Sequence, residues 1–212
     1  MTPKKQAYQA LANTMIKNFA KRNIEAFYCN TKEEAAALAM DIMKDGGSVG
    51  MGGSSTVKQT GLLDLIKDSD NLHFIDRSLA TTPKEKKAVY LEMAAAEYFL
   101  MSSNAVTIEG ELVNMDGNAN RLACLLHGPD TVIVMVGMNK VVDDVESGIQ
   151  RIGTHAAPPN AIRLGTGTPC GITGHCADCF AQRCMCSHLV VTRRSSHEGR
   201  IKVILIGEEL GY

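Results

Sequence analysis

The chain has 212 residues, 45% of them hydrophobic and 21% charged, which excludes intrinsic disorder and leaves enough chain to bury a substantial core. A net charge of −1 gives no reason to expect a nucleic-acid partner. The basic residues Arg193, Arg194, Arg200 and Lys202 read as a solvated hairpin. No apolar run reaches the roughly 20 residues that a membrane helix needs. The amphipathic opening contains Lys17, Lys21 and Arg22 where a secretory signal would need an apolar core, so the expected location is the cytoplasm.

In chain order, Tyr8, Leu11, Met15 and Phe19 recur at helical spacing and predict a helix over 3–21. A strand is expected at 24–28. Thr31 with Glu34 three residues later forms a capping box that opens an alanine-rich helix to about 44. A short strand at 48–51 leads into a glycine-rich loop and one helix over 56–67. The pattern repeats with a strand at 72–75, a helix opened by Thr82-Pro83 and Glu85 that runs to 95, and a buried strand at 98–101. The runs 105–108 and 111–113 flank Glu109-Gly110 as a hairpin. A helix over 121–127 stops at Gly128-Pro129, and 131–136, with five β-branched residues in six, is a fully buried strand of parallel-sheet character. A helix over 143–152, a proline- and glycine-rich loop over 156–168, a cysteine-rich loop over 170–186 and a terminal hairpin of 189–192 with 201–206 complete the chain. Strands alternating with helices predict a single α/β domain over 1–212, three-layered, with a mostly parallel sheet and helices on both faces.

Three features carry chemistry. The first is Gly50-Met51-Gly52-Gly53-Ser54-Ser55-Thr56, between a strand and a helix. Glycines admit close backbone approach and hydroxyls add donors, so Gly50, Gly52, Gly53, Ser54, Ser55 and Thr56 are candidate anion-binding residues; the alternative is an ordinary tight turn. The spacing is neither a dinucleotide fingerprint nor a P-loop.

The second is a polar cluster that follows the buried strand at 98–101: Asn104, Glu109, Asn114, Asp116, Asn118, Asn120 and Arg121, with Asn139 and Lys140 after a second strand. Ligands of open parallel sheets bind at the carboxyl ends of strands. Glu109 is the candidate catalytic carboxylate, as nucleophile or general base, and Asn104, Asn120, Arg121 and Lys140 are candidate ligand contacts that could clamp a carboxylate or phosphate. Asn, Asp and Gly here also suit plain turn chemistry.

The third is the set Cys170, Cys176, Cys179, Cys184 and Cys186, five of the seven cysteines within seventeen residues. Cytosolic thiols stay reduced, so clustering favours metal or redox chemistry over disulfides. Cys176-Ala177-Asp178-Cys179 is a C-x₂-C knuckle; Cys170 and Cys186 complete a four-thiolate set, with Cys184 spare and His175 or His188 as substitutes. A [4Fe–4S] cluster and zinc both suit four thiolates, and free or regulatory thiols are the third choice. Cys29 and Cys124 lie in apolar stretches and read as core residues.

Taken together, Ser103-Asn104-Ala105-Val106-Thr107, Leu112 to Asn118, Asn120-Arg121, Val136 to Val142, Ala156-Ala157-Pro158 and Thr168-Pro169-Cys170 resemble the LUD-domain proteins of lactate utilisation. The resemblance implies a CoA transferase-like fold, shared with ribose-5-phosphate isomerase and glucosamine-6-phosphate deaminase, in which the early glycine loop holds phosphate or part of an acyl-CoA. It also implies a place in lactate or 2-hydroxy-acid metabolism, as an accessory or electron-transfer subunit alongside other lactate-oxidation subunits and with a small anionic metabolite as ligand. Two alternatives stay open: an isomerase or acyl-CoA transferase that uses Glu109, and a zinc-stabilised assembly module. Whether the chain is itself an enzyme, and whether it forms homo-oligomers, is undecided at this level.

Overall fold

The computed structural model describes residues 2–212. Six strands form an all-parallel sheet: β1 (Glu25–Cys29), β2 (Gly47–Met51), β3 (Leu72–Phe74), β4 (Tyr98–Met101), β7 (Thr131–Gly137) and β10 (Ile201–Ile206), in the spatial order β1-β10-β7-β4-β2-β3. β7 explains the layering. Val132, Val134 and Val136 point into one apolar layer and Ile133 and Met135 into the other, all fully buried, because a central parallel strand is covered on both faces.

One layer is roofed by α1 (Pro3–Lys21), α5 (Pro83–Ala94) and α6 (Asn120–Leu126), through Ala12, Met15, Phe19, Met93, Leu122 and Leu125. The other is roofed by α2 (Lys32–Ile42), α3 (Ser55–Gln59) and α4 (Leu62–Lys67), through Ala35, Ala39, Val57, Leu62 and Ile66. Thr31 and Thr82 cap α2 and α5 as their spacing predicts, each accepting from the main-chain N–H three residues on, and Glu85 completes the box at Thr82.

A second sheet of four strands flanks the first: β8 (Val141–Val142), β5 (Ala105–Thr107), β6 (Leu112–Asp116) and β9 (His188–Thr192), in that order. The β5–β6 hairpin forms at Glu109-Gly110 as expected, with Gly110 at φ +90°.

Several local expectations differ from what forms. The last two strands do not pair with each other. β10 (Ile-Lys-Val-Ile-Leu-Ile) is apolar enough to be buried on both faces and inserts between β1 and β7, whereas β9 is exposed along one side and joins β6 at the edge of the small sheet. The expected helix over 56–67 is two helices, because Gly61 adopts φ +74° between them.

The expected loop at 156–168 contains a helix. α7 (Val145–Arg151) continues through a π turn (Ile152–Ala156) into α8 (Ala157–Leu164), and Gly165 in the left-handed region ends it. Pro158 and Pro159 sit in the first turn of α8, where no N–H is needed, so prolines that read as loop formers open a helix instead. A short helix, α9 (Pro169–Thr173), follows. In the supposedly solvated basic stretch, Arg200 donates to the carbonyls of Cys124, Leu125 and Pro129, and so closes the end of α6. Among the described residues no helix is long and apolar enough to cross a membrane.

Candidate functional site: a basic cavity at the carboxyl edge of the sheet

β2, β4 and β7 run parallel, so the residues that follow them emerge on one edge. Gly52 to Thr56 follow β2, Ser102 to Asn104 follow β4, and Asn139 and Lys140 follow β7. A cavity of about 680 Å³ opens between them, closed by Met115 to Arg121, by α8, by Gln182 to Met185 of the cysteine loop and by Gly211 and Tyr212. Among the described residues Asp116 is the one carboxylate side chain on its walls, against the cations Lys58, Arg77, Arg121, Arg163 and Arg183, with the Lys140 amine among them.

Arg121 is a fixture of the wall. Its Nε donates to Asp116 (3.0 Å), one terminal nitrogen to the Ser102 carbonyl (2.9 Å) and Asn114 Oδ1 (3.3 Å), and the other to Asn104 Oδ1 (3.1 Å) and the Met115 carbonyl (2.9 Å). A guanidinium has five N–H groups, and five acceptors take them. No donor is left to clamp a ligand. Arg121 is therefore a positioning residue that ties the end of β4 to the β6–α6 corner. Asn104 has the same part, since its Oδ1 also accepts from the Met115 N–H (2.9 Å).

Lys140 lies at the base of the cavity, 4% exposed. Its Nζ donates to Thr56 Oγ1 (2.8 Å) and Ser102 Oγ (3.0 Å). Each hydroxyl has a main-chain carbonyl as its further partner, Leu210 at 3.4 Å from Thr56 Oγ1 and Ser103 at 3.3 Å from Ser102 Oγ, so each can turn its proton away and a lone pair to the amine. Burial first, then the nearby Arg151 and Arg121, push the Lys140 amine down to about 7. Arg151 is itself engaged, donating to the carbonyls of Asn139, Asn104 and Tyr212.

The segment after β10 closes this corner: Leu210 N–H donates to Asn139 Oδ1 and Gly211 N–H to Gln59 Oε1, and Gly211 passes so close that an added Cβ would lie 3.0 Å from Lys140 Nζ.

The glycine loop divides by role. Gly50 lies inside β2, where an added Cβ would meet Met93 at 3.0 Å; it permits α5 to pack and does not line the cavity. Gly52 faces Arg121, whose Cγ would be 2.7 Å from an added Cβ, and Gly53 holds φ +76° against Arg77. Ser54 caps α3 by accepting from Val57 N–H, and Ser55 lines the cavity. α3 has only five residues, so its dipole is small, and the positive charge along these walls comes from the side-chain cations.

Asn120 also lines the cavity, whereas Glu109 is exposed at the tip of the β5–β6 hairpin, outside it, with its carbonyl accepting from Arg22. The structure does not bring Glu109 to the other candidates. Ser102, Arg77, Arg163 and Arg183 line the cavity without having stood out in the sequence, beside Ser103 of the stretch 103–107. Ser102-Ser103 directly after a buried strand is a signal that could have been read, while Arg163 lies on α8, where the sequence predicts a loop.

The cysteine loop leans over the cavity mouth, with Cys184 on its wall. Cys170 is buried beside Thr168 Oγ1 (3.4 Å), and the Cys176 sulfur accepts from Asp178 N–H (3.4 Å). Burial, then neighbouring Cys184, Cys176 and Cys170, push the Cys186 thiol up to about 12. As arranged, no group of three or more His, Cys, Asp or Glu side chains among the described residues forms a set that could hold a metal ion.

Cys29 and Cys124 are core residues, 6% and 1% exposed, and burial pushes each thiol up to about 11. Alkylation with iodoacetamide near neutral pH is expected to spare both until the protein unfolds, as mass mapping with and without denaturant would check.

A parallel α/β sheet with a basic cavity at its carboxyl edge defines an α/β protein with an open cavity where ligands of such sheets bind. The family model for the LUD domain matches residues 12–206, and the chain belongs to that family. A crystal structure of a DUF162 family protein from Deinococcus radiodurans is similar over 94% of this chain and 98% of that one, with a TM-score of 0.55 and 12% identity, a likeness of fold. No curated protein matches the chain.

Proposed function

We propose that this LUD-domain protein binds a small carboxylate or phosphate metabolite in the basic cavity and serves lactate or a related 2-hydroxy-acid metabolism as an accessory or electron-transfer component. The observation that carries the binding part is the charge of the walls. Asp116 is held by Arg121, and Lys58, Arg77, Arg163 and Arg183 are exposed around the opening of a chain whose net charge is −1. Cations gathered on one concave surface raise the local concentration of anions.

The test is a titration with phosphate, lactate and pyruvate at low and high salt. Binding that weakens with salt is expected, and Gly52→Val, which drives a side chain into Arg121, is expected to lose at least about tenfold in affinity, equivalent to about 1.4 kcal/mol. Equal affinity in wild type and a Gly52→Val, Ser55→Ala double variant would sink the binding site. The electron-transfer part needs a metal or cluster on the cysteine loop, a [4Fe–4S] centre or, for a non-redox role, zinc. Metal, sulfide and visible absorption of protein purified without air decide between them.

A further inference from the structure

We propose that Lys140 is a nucleophile: its amine forms a reversible imine with the carbonyl carbon of a small anion, such as a 2-oxo acid, held in the basic cavity. The inference rests on the anion-binding reading above and narrows its ligand to carbonyl-bearing anions.

The hydrogen-bond geometry matches a neutral amine. An –NH₂ group has two N–H bonds and one lone pair. Thr56 Oγ1 and Ser102 Oγ accept the two, each with its own proton directed to a carbonyl. The lone pair then has no partner among the described residues. An ammonium would present a third N–H with no acceptor among the described residues, at a site where the charged groups acting on it, Arg151 on α7 and Arg121 on α6, are both cations. Asp116, the cavity's carboxylate, is taken by Arg121. A lysine placed only to anchor an anion would gain from staying charged. Desolvation with cationic neighbours is instead the environment that activates a lysine amine for attack on carbonyls.

The chemistry balances without a further reactant. The nitrogen lone pair attacks the carbonyl carbon and the C–N bond forms as the C=O π pair moves to oxygen. Both nitrogen protons pass in turn to that oxygen, which leaves as water, and C=N remains. Thr56 and Ser102 hold the amine during attack and can relay the proton. The rim cations hold the carboxylate or phosphate end.

The full chain is incubated with pyruvate and sodium cyanoborohydride at about pH 7, and adducts are located by peptide mass mapping. One reduced adduct at Lys140 is expected, suppressed by added phosphate and missing from Lys140→Arg and Lys140→Met. Near neutral pH about half of this amine is free, against roughly one part in a few thousand for an ordinary lysine, so labelling should exceed that of surface lysines by about three orders of magnitude. Labelling spread evenly over surface lysines, or unchanged in Lys140→Met, overturns the proposal. Phosphate binding is measured in parallel. Phosphate bound without an adduct overturns the imine and leaves the anion cavity standing; neither phosphate binding nor adduct overturns both.

Discussion

Replacing Arg121 by alanine is expected to lower the unfolding free energy by about 3–5 kcal/mol, the usual cost of removing one partner from a buried ion pair. Both Arg121 and Asp116 are only 14% exposed. The substitution strands the Asp116 carboxylate together with two carbonyls and the two Asn side chains that Arg121 satisfied. For a chain of this length each kcal/mol moves the midpoint by about 2–4 °C, so Tm should fall by about 10 °C. Arg121→Lys should recover less than half, because an ammonium has three donors and no planar fork. Denaturant and thermal unfolding of the three proteins check this. A loss below about 1 kcal/mol would mean that water replaces the network, and that the cavity wall does not depend on it.

Replacing Lys140 by methionine is expected to do the reverse, stabilising the protein while removing its chemistry. The folded protein gives up the Lys140 proton near pH 7, whereas an unfolded chain holds it to about 10.5. Between those values the unfolded state binds more protons, so wild-type stability rises with pH, by about 1.4 kcal/mol per pH unit. Below pH 7 both states are protonated and the cost of burying the ammonium is at its full size, about 5 kcal/mol at most.

Methionine avoids that cost and gives up two hydrogen bonds of about 1 kcal/mol each, so Lys140→Met should be more stable by about 2–3 kcal/mol at pH 6. The advantage should vanish towards pH 9 as wild type gains. Unfolding curves at the two pH values decide it: a difference independent of pH would mean that Lys140 keeps an ordinary proton affinity when folded. A buried lysine that costs stability at neutral pH is what a functional group, rather than a structural one, imposes.

Much of the architecture was legible because its signals are local. Thr31 with Glu34 and Thr82 with Glu85 announce their helices within four residues, and the β-branched run of β7 marks a buried parallel strand without reference to any partner. The glycine loop and the segments after β4 and β7 were readable as candidates for the same reason. The segment over 156–168 failed because proline is ambiguous: Pro158 and Pro159 break a helix in its middle and open one in its first turn, and only the approach from α7 chooses.

By itself, then, the sequence determined an alternating α/β chain, the caps that start its helices, a cluster of thiols and the residue types gathered near residues 50, 104, 121 and 140. Tertiary structure alone decided their use. β10 and β9 could have formed a hairpin, but burial on two faces sends one to the centre of the large sheet and leaves the other at an edge. Arg121 looks like a clamp until acceptors from residues 102 to 116 consume its donors. Lys140 looks like any lysine until Thr56, Ser102 and Gly211 enclose it. Donor occupancy and desolvation are sums over residues distant in the chain, so no window of sequence contains them.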